Sequence, residues 1–182
     1  MPAHYEQGSE SKIAVVLSCP GKQEKKHNKP ASGITGKNLD YLLNKLENEY
    51  HHSDFKREKI TITNAWSKVE FKGKNGTSRS EPTITEVLGE GNLNRLSDEI
   101  KDVSDYIICC GKNAEASLLT LIYANKIHSN CKVIYIPHLS TRGLCKAIVR
   151  DIKRVKIKPR SSDGMSKRLD VVAFNINEGL KN

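Results

Sequence analysis

Three short stretches hold the residue types that could do chemistry: Ser18-Cys19-Pro20-Gly21, Asn64-Ala65 and Pro137-His138-Leu139-Ser140. Each follows a short apolar run. His138 carries an imidazole that can donate to charge developing on a reacting group, or simply satisfy backbone groups at a strand end. Asn64 has a donor and an acceptor on one planar amide, enough to read the edge of a heterocycle in two bonds or to cap a turn. Cys19 with His138 would make a thiol–imidazole hydrolase for small molecules. Neither Ser18 nor Cys19 is an obvious base, although the Ser18 hydroxyl can hold water without abstracting its proton. Glu24 is the nearest carboxylate able to position water, while Asp40 reads as a helix N-terminal charge.

The elements that must position these residues follow from the apolar pattern. Lys12 to Leu17, Ile60 to Ala65, Tyr106 to Cys110 and Lys132 to Ile136 are short continuous apolar or β-branched runs, the mark of buried strands. Between them lie helical stripes: Leu39, Leu42, Leu43, Leu46 and Tyr50 over about three turns, then 83–103 in two pieces broken at Gly89-Glu90-Gly91, then Ala114 to Tyr123. A basic helix is expected over 144–155. Strands alternating with helices predict an α/β fold, three-layer α/β/α with a central four-stranded, mainly parallel sheet. In such sheets ligands bind outside the carboxyl ends of the strands, where all three stretches lie. Residues 21–36 are too long and irregular for a simple connector and read as a functional loop, and 66–81 as a mobile surface loop. The chain reads as a single domain over 1–182, with a core at about 12–155 and an extension, 156–182, of unassigned place in which Leu169 to Phe174 is strand-like.

Composition narrows the partners. Thirty Lys and Arg against twenty-one Asp and Glu leave a charge of +9, which favours a polyanion, nucleic acid first, through counterion release. No apolar run approaches the roughly 18 residues of a membrane span, so no membrane partner is expected. The first fifteen residues show no basic region leading into an apolar stretch and cleavage site, and a cytoplasmic monomer is the expectation. Five cysteines, Cys19, Cys109, Cys110, Cys131 and Cys145, contain no C-x-x-C pair and read as reduced thiols, with no metal site.

Pro20-Gly21, Glu24, Pro30, Gly33, Gly36, Leu39-Asp40 and Leu42-Leu43 resemble, spacing included, the first motif of the thermostable, family-4 type of uracil-DNA glycosylases. Ile62-Thr63-Asn64, Arg79-x-x-Pro82-Thr83, Ile107-x-x-x-Gly111 with Ala114 and Leu118-Leu119, and His138-Leu139-Ser140 follow in that family's order. The resemblance covers about residues 12 to 150. It implies a monofunctional DNA glycosylase that flips a pyrimidine nucleotide and hydrolyses its N-glycosidic bond to an abasic site, with DNA as partner and no lyase lysine. His138 would bond the pyrimidine O2 region in the transition state and Asn64 would read the flipped base. Pro20, Gly21 and Ser140 would let backbone amides approach the DNA phosphates on either side of it. Thr141 and Arg142 fall where relatives carry a loop that enters the DNA stack, with Arg142 or Leu144 as the wedge.

Three departures from the family bear on mechanism and substrate. Where many relatives hold an acidic residue or asparagine to orient water, this chain has Ser18, at the place of the family-4 glutamate, and Cys19. Catalysis would then lean on leaving-group stabilisation, or the chain would be a catalytically silent relative that binds extruded or damaged bases. The four cluster cysteines of the iron–sulfur relatives are missing from their positions, so no cofactor is implied. Ala31 replaces an aromatic that stacks on uracil. That gives room for a bulkier base than uracil, such as a modified cytosine of bacteriophage DNA, and places the chain in DNA repair or in antiviral defence.

Overall fold

Strand β1, Ile13–Leu17, is buried along its whole length and sits inside the sheet, with a parallel neighbour on each side. A computed structural model describes residues 2–159 and 161–181. Strands β2 (Thr61–Asn64), β3 (Tyr106–Cys110) and β4 (Lys132–Ile136) complete a four-stranded, all-parallel sheet in the order β2-β1-β3-β4. A strand buried on both faces reads as one apolar run because its alternate side chains enter two different cores. Ile13, Val15 and Leu17 join one cluster with Leu39, Leu42 and Leu46 of helix α2 (Ile34–Asn48), while Ala14 and Val16 join the other. The second cluster holds Val87 of α3 (Ile84–Val87), Leu96 and Ile100 of α4 (Glu90–Ile100), and Ala114, Leu118 and Leu121 of α5 (Lys112–Tyr123). The result is the expected three layers.

Chain order sets the place of the crevice. From β1 the chain crosses through α2 to β2 on one side, then returns through α3 and α4 to β3 on the other. The carboxyl ends of β1 and β3 are therefore the switch point at which a doubly wound sheet opens a binding crevice.

The structure corrects the sequence reading in several places. Residues 169–174 lie within helix α7 (Gly164–Lys181), not a strand. Leu169, Val172, Ala173 and Ile176 recur at helical spacing and pack on the first core, a stripe hidden by the contiguous Val171-Val172-Ala173-Phe174. The helix expected at 144–155 is α6 (Thr141–Ala147) and ends at Ala147. Beyond it, Lys146, Arg150 and Arg154 would stack at i, i+4 intervals, each like-charge pair disfavouring a helix by about 0.2–0.5 kcal/mol. The chain instead turns back, with Arg150 bridging to Lys156 and the Asp151 carboxylate accepting from the Val155 amide. Asp40 lies in the middle of α2, where it accepts from Arg57 at 2.8 Å, and is no N-terminal charge. The 21–36 stretch contains a short helix, α1 (Lys22–His27).

Segment 66–81 is pinned rather than loose. Its buried Glu70 accepts from the Trp66 indole at 3.2 Å, from Thr77 Oγ1 and from both ends of the Arg79 fork, and the Glu70 amide donates to the Pro20 carbonyl. The polar leader is also structured. Glu6 exchanges two backbone bonds with Ile62, which covers the outer edge of β2.

Candidate active site

The loop that follows β1 is closed by Glu24. One carboxylate oxygen accepts from the amides of Ser32 (3.0 Å) and Gly33 (3.1 Å), and the other from the Gly21 amide at 3.0 Å. Three backbone donors on one carboxylate tie the ends of the 21–33 loop together. Glu24, expected to position water, is thus occupied as a loop fastener. The closed loop brings Ala31, buried and at φ 49°, to the end of the sheet.

His138 leaves β4 through Pro137, with its ring orientation set by its own turn. Its Nδ1 accepts from the Ser140 amide at 3.0 Å, so the neutral ring carries its proton on Nε2. Burial lowers its pKa below the ordinary 6.5, against the opposing pull of the Glu81 charge. The neutral, donating tautomer is therefore the resting form at pH 7. Two glycines make the seat: Gly111, at φ 87°, where a Cβ would meet the His138 Cβ at 3.0 Å, and Gly143, where one would lie 2.3 Å from the His138 carbonyl oxygen. Ser140 caps α6 by accepting from the Gly143 amide at 3.1 Å. Gly143→Ala would have to push α6 off the His138 turn, an overpacking cost of about 1–3 kcal/mol. Lower thermal stability in calorimetry is expected. A variant that unfolds at the wild-type temperature would contradict this packing.

Thr141 and Arg142 are exposed beside this turn. Leu144 is fully buried in the core, which removes it as a residue able to enter a DNA stack and leaves Arg142.

A cavity of about 130 Å³ opens among these segments, bounded by Cys19, Gly21, Ala31, Asn64, Glu81 and His138. That is well below the roughly 300–1,000 Å³ of drug-sized ligand sites, and suits one small ring. It adjoins a groove of about 600 Å³ that shares Ser80, Glu81 and His138 and is lined by Lys112, Ser140, Arg142 and Lys146. Ala31 also borders an outer recess of about 360 Å³ with His27, Lys29, Lys37 and Arg57. The structure thus brings Cys19, Gly21, Glu24, Ala31, Asn64 and His138 to one cavity, with Ser18 and Ser140 in the groove beside it. Pro20 is buried, its carbonyl held by Glu70.

Asn64, at the end of β2, is buried, and its Nδ2 donates to the His4 carbonyl at 3.2 Å. Its Oδ1 accepts nothing among the described residues, so the acceptor is the half of the amide left for a ligand. His4 in turn bonds Glu99 at 3.0 Å, and Glu99 takes Thr63 and Arg95 as well. That contribution of the leader had no signal in the sequence beyond a histidine in a polar stretch.

A second unforeseen residue is Glu81. The Ser18 hydroxyl donates to Glu81 Oε2, and Asn113 Nδ2, in the first turn of α5, donates to both Ser18 Oγ (2.9 Å) and Glu81 Oε2 (3.0 Å). Ser18, expected to hold water itself, has its hydrogen committed to a carboxylate. The Cys19 thiol lies 3.9 Å from the same oxygen, and burial together with the Glu81 charge pushes it up to about 12. A thiol that stays protonated at pH 7 is no thiolate nucleophile, which takes away the support for a Cys19–His138 hydrolase. Treatment with iodoacetamide at pH 7 is expected to leave Cys19 unmodified while the exposed Cys145 reacts, as peptide mass mapping would show. Rapid labelling of Cys19 would reverse this conclusion. The only cue to Glu81 was its place inside the Arg79-x-x-Pro82-Thr83 stretch. Arg79 there pairs with Glu70 and Glu86, and Thr83 and Glu86 cap α3.

The cationic side chains divide by place. Lys12, Lys45, Lys56, Lys59 and Arg57 are paired with carboxylates. Lys112, Arg142 and Lys146 on the groove, Lys22 and Lys26 on α1, and Lys68, Lys72 and Lys74 in segment 66–81 make no ion pair among the described residues. Cys109 and Cys110 point into opposite cores of β3, so they cannot join one metal site. Among the described residues no helix is long and apolar enough to cross a membrane. A scan against family models finds none that matches the chain, and no curated protein matches it.

Proposed function

We propose that this chain is a monofunctional DNA glycosylase that extrudes a pyrimidine nucleotide and hydrolyses its N-glycosidic bond, leaving an abasic site. The observation that carries the reading is a neutral histidine with its Nε2 proton available, at a ring-sized cavity in the crevice of the sheet, between unpaired lysines and arginines. Breaking the bond leaves the electron pair on the base while the sugar takes on oxocarbenium character. The Nε2–H of the half-buried ring stabilises the anionic oxygen that results, and does so without reorganising, because the Ser140 amide already fixes the ring. Asn64 Oδ1 accepts from an N–H of the base, as an imide edge offers. Lys112, Arg142 and Lys146 neutralise phosphates on the groove side, and Lys22 and Lys26 on the α1 side. A base larger than uracil would place its ring in the 130 Å³ cavity and its substituent in the adjoining groove.

A second reading is favoured by the His4 carbonyl on Asn64 Nδ2, which leaves half of the reading amide engaged. On that reading the chain holds an extruded base without cleaving it. Incubation with uracil-containing DNA and with phage DNAs carrying modified cytosines, followed by mass spectrometry of released bases, separates the two. Free base with alkali-labile sites in the DNA supports the glycosylase. Binding with no release from any of these DNAs supports the silent relative.

A further inference from the structure

We propose that Glu81 is the carboxylate that orients and deprotonates the attacking water, delivered from the loop ahead of α3 to the carboxyl end of β1. The assignment rests on the glycosylase reading. The residue at the end of β1 in this chain is a serine, and its hydroxyl does not face the cavity as a free group. It donates to Glu81 Oε2, and Asn113 holds both partners within 3.0 Å. The carboxylate head therefore stands beside the β1 terminus although its backbone is 63 positions away in sequence.

Its placement is fixed from both sides. Two residues before it, Arg79 forks onto the buried Glu70 and onto Glu86; directly after it, Pro82 is buried and Thr83 caps α3. Oε2 takes the donors, while Oε1 accepts nothing among the described residues and is open to water. Glu81 borders both the cavity that would hold the ring and the groove that would hold the flanking backbone, which is where the sugar between them must lie.

The step balances without any further reagent. The C1′–N bond breaks with its electron pair leaving on the base, and a water oxygen forms the new C1′–O bond. The water's proton passes to Glu81 and from there to solvent, and the base anion takes a proton from solvent. The negative carboxylate also faces the cationic sugar as it forms.

Glu81→Gln tests the assignment cleanly, because the amide oxygen still accepts from Ser18 and Asn113 and the loop keeps its anchors. Single-turnover base release should fall about 10²–10⁴-fold, the usual span for a general base. DNA affinity and melting temperature should stay at wild-type values. The conservative variant gives the readout a structural role would not move: Glu81→Asp, which keeps a carboxylate, should release base faster than Glu81→Gln, whose amide keeps the hydrogen bonds. A Glu81→Gln rate equal to wild type, with His138→Ala slow, overturns the proposal and spares the glycosylase reading. A Glu81→Asp no faster than an equally folded Glu81→Gln also overturns it. DNA binding by the wild type with no base released removes both.

Discussion

His138→Ala is expected to slow single-turnover base release by about two to three orders of magnitude, the cost of removing one preorganised donor from a developing anion. DNA affinity should change little, since on the proposed reading the phosphates are met by Lys22, Lys26, Lys112, Arg142 and Lys146. The size follows from the state of the ring: a half-buried imidazole with Nδ1 already bonded to the Ser140 amide presents one proton in one direction. An alanine leaves the anion without its Nε2 donor in a cavity that also carries the Glu24, Glu70 and Glu81 carboxylates. The same burial gives a pH signature. The folded protein holds His138 neutral below pH 6.5 while the unfolded chain takes up a proton there, so stability drains away as pH falls from about 6.5 toward the lowered folded value. His138→Ala should flatten that part of the stability curve. Full activity in His138→Ala would remove the residue from leaving-group stabilisation.

Ala31→Phe should change the choice of base rather than the rate alone. The alanine methyl borders both the 130 Å³ cavity and the outer recess, so a ring there either stacks on the bound base or fills the space a substituent needs. Base–aromatic stacking is worth roughly 1–3 kcal/mol, and overpacking costs about the same, so the two outcomes differ in sign. Excision of a bulky modified pyrimidine is expected to be lost, with uracil excision unchanged or improved. Equal losses on both, measured side by side, would show that Ala31 is no size gate. The left-handed backbone at this residue is already present with alanine, so the substitution tests the side chain and not a new strain.

The strands were legible because each is a short apolar or β-branched run, which β1, covered on both faces, must be; β4, half exposed, was legible from Val133 to Ile136 alone. Asn64 and His138 were legible for the same reason: the end of such a run faces the crevice by topology. Glu81 was not, because an exposed carboxylate in a stretch with no period has no local signature; its role comes from Ser18 and Asn113, which only the folded sheet brings near. Glu24 misled for the opposite reason. A carboxylate beside Pro-Gly looks available until the loop amides it accepts from are seen. α7 was hidden by four adjacent apolar residues, where strand and helix periods cannot be told apart.

α7 packs against α2, α6 and β4, two of which carry the His138 turn between them. Burial of Leu169, Val172 and Ile176 contributes about 1.5–3 kcal/mol per side chain to holding that corner in place. During synthesis these residues leave the ribosome after every residue that lines the cavity. The nascent chain can therefore collapse its sheet while the histidine corner is still unsupported, and the corner is secured only once α7 has docked.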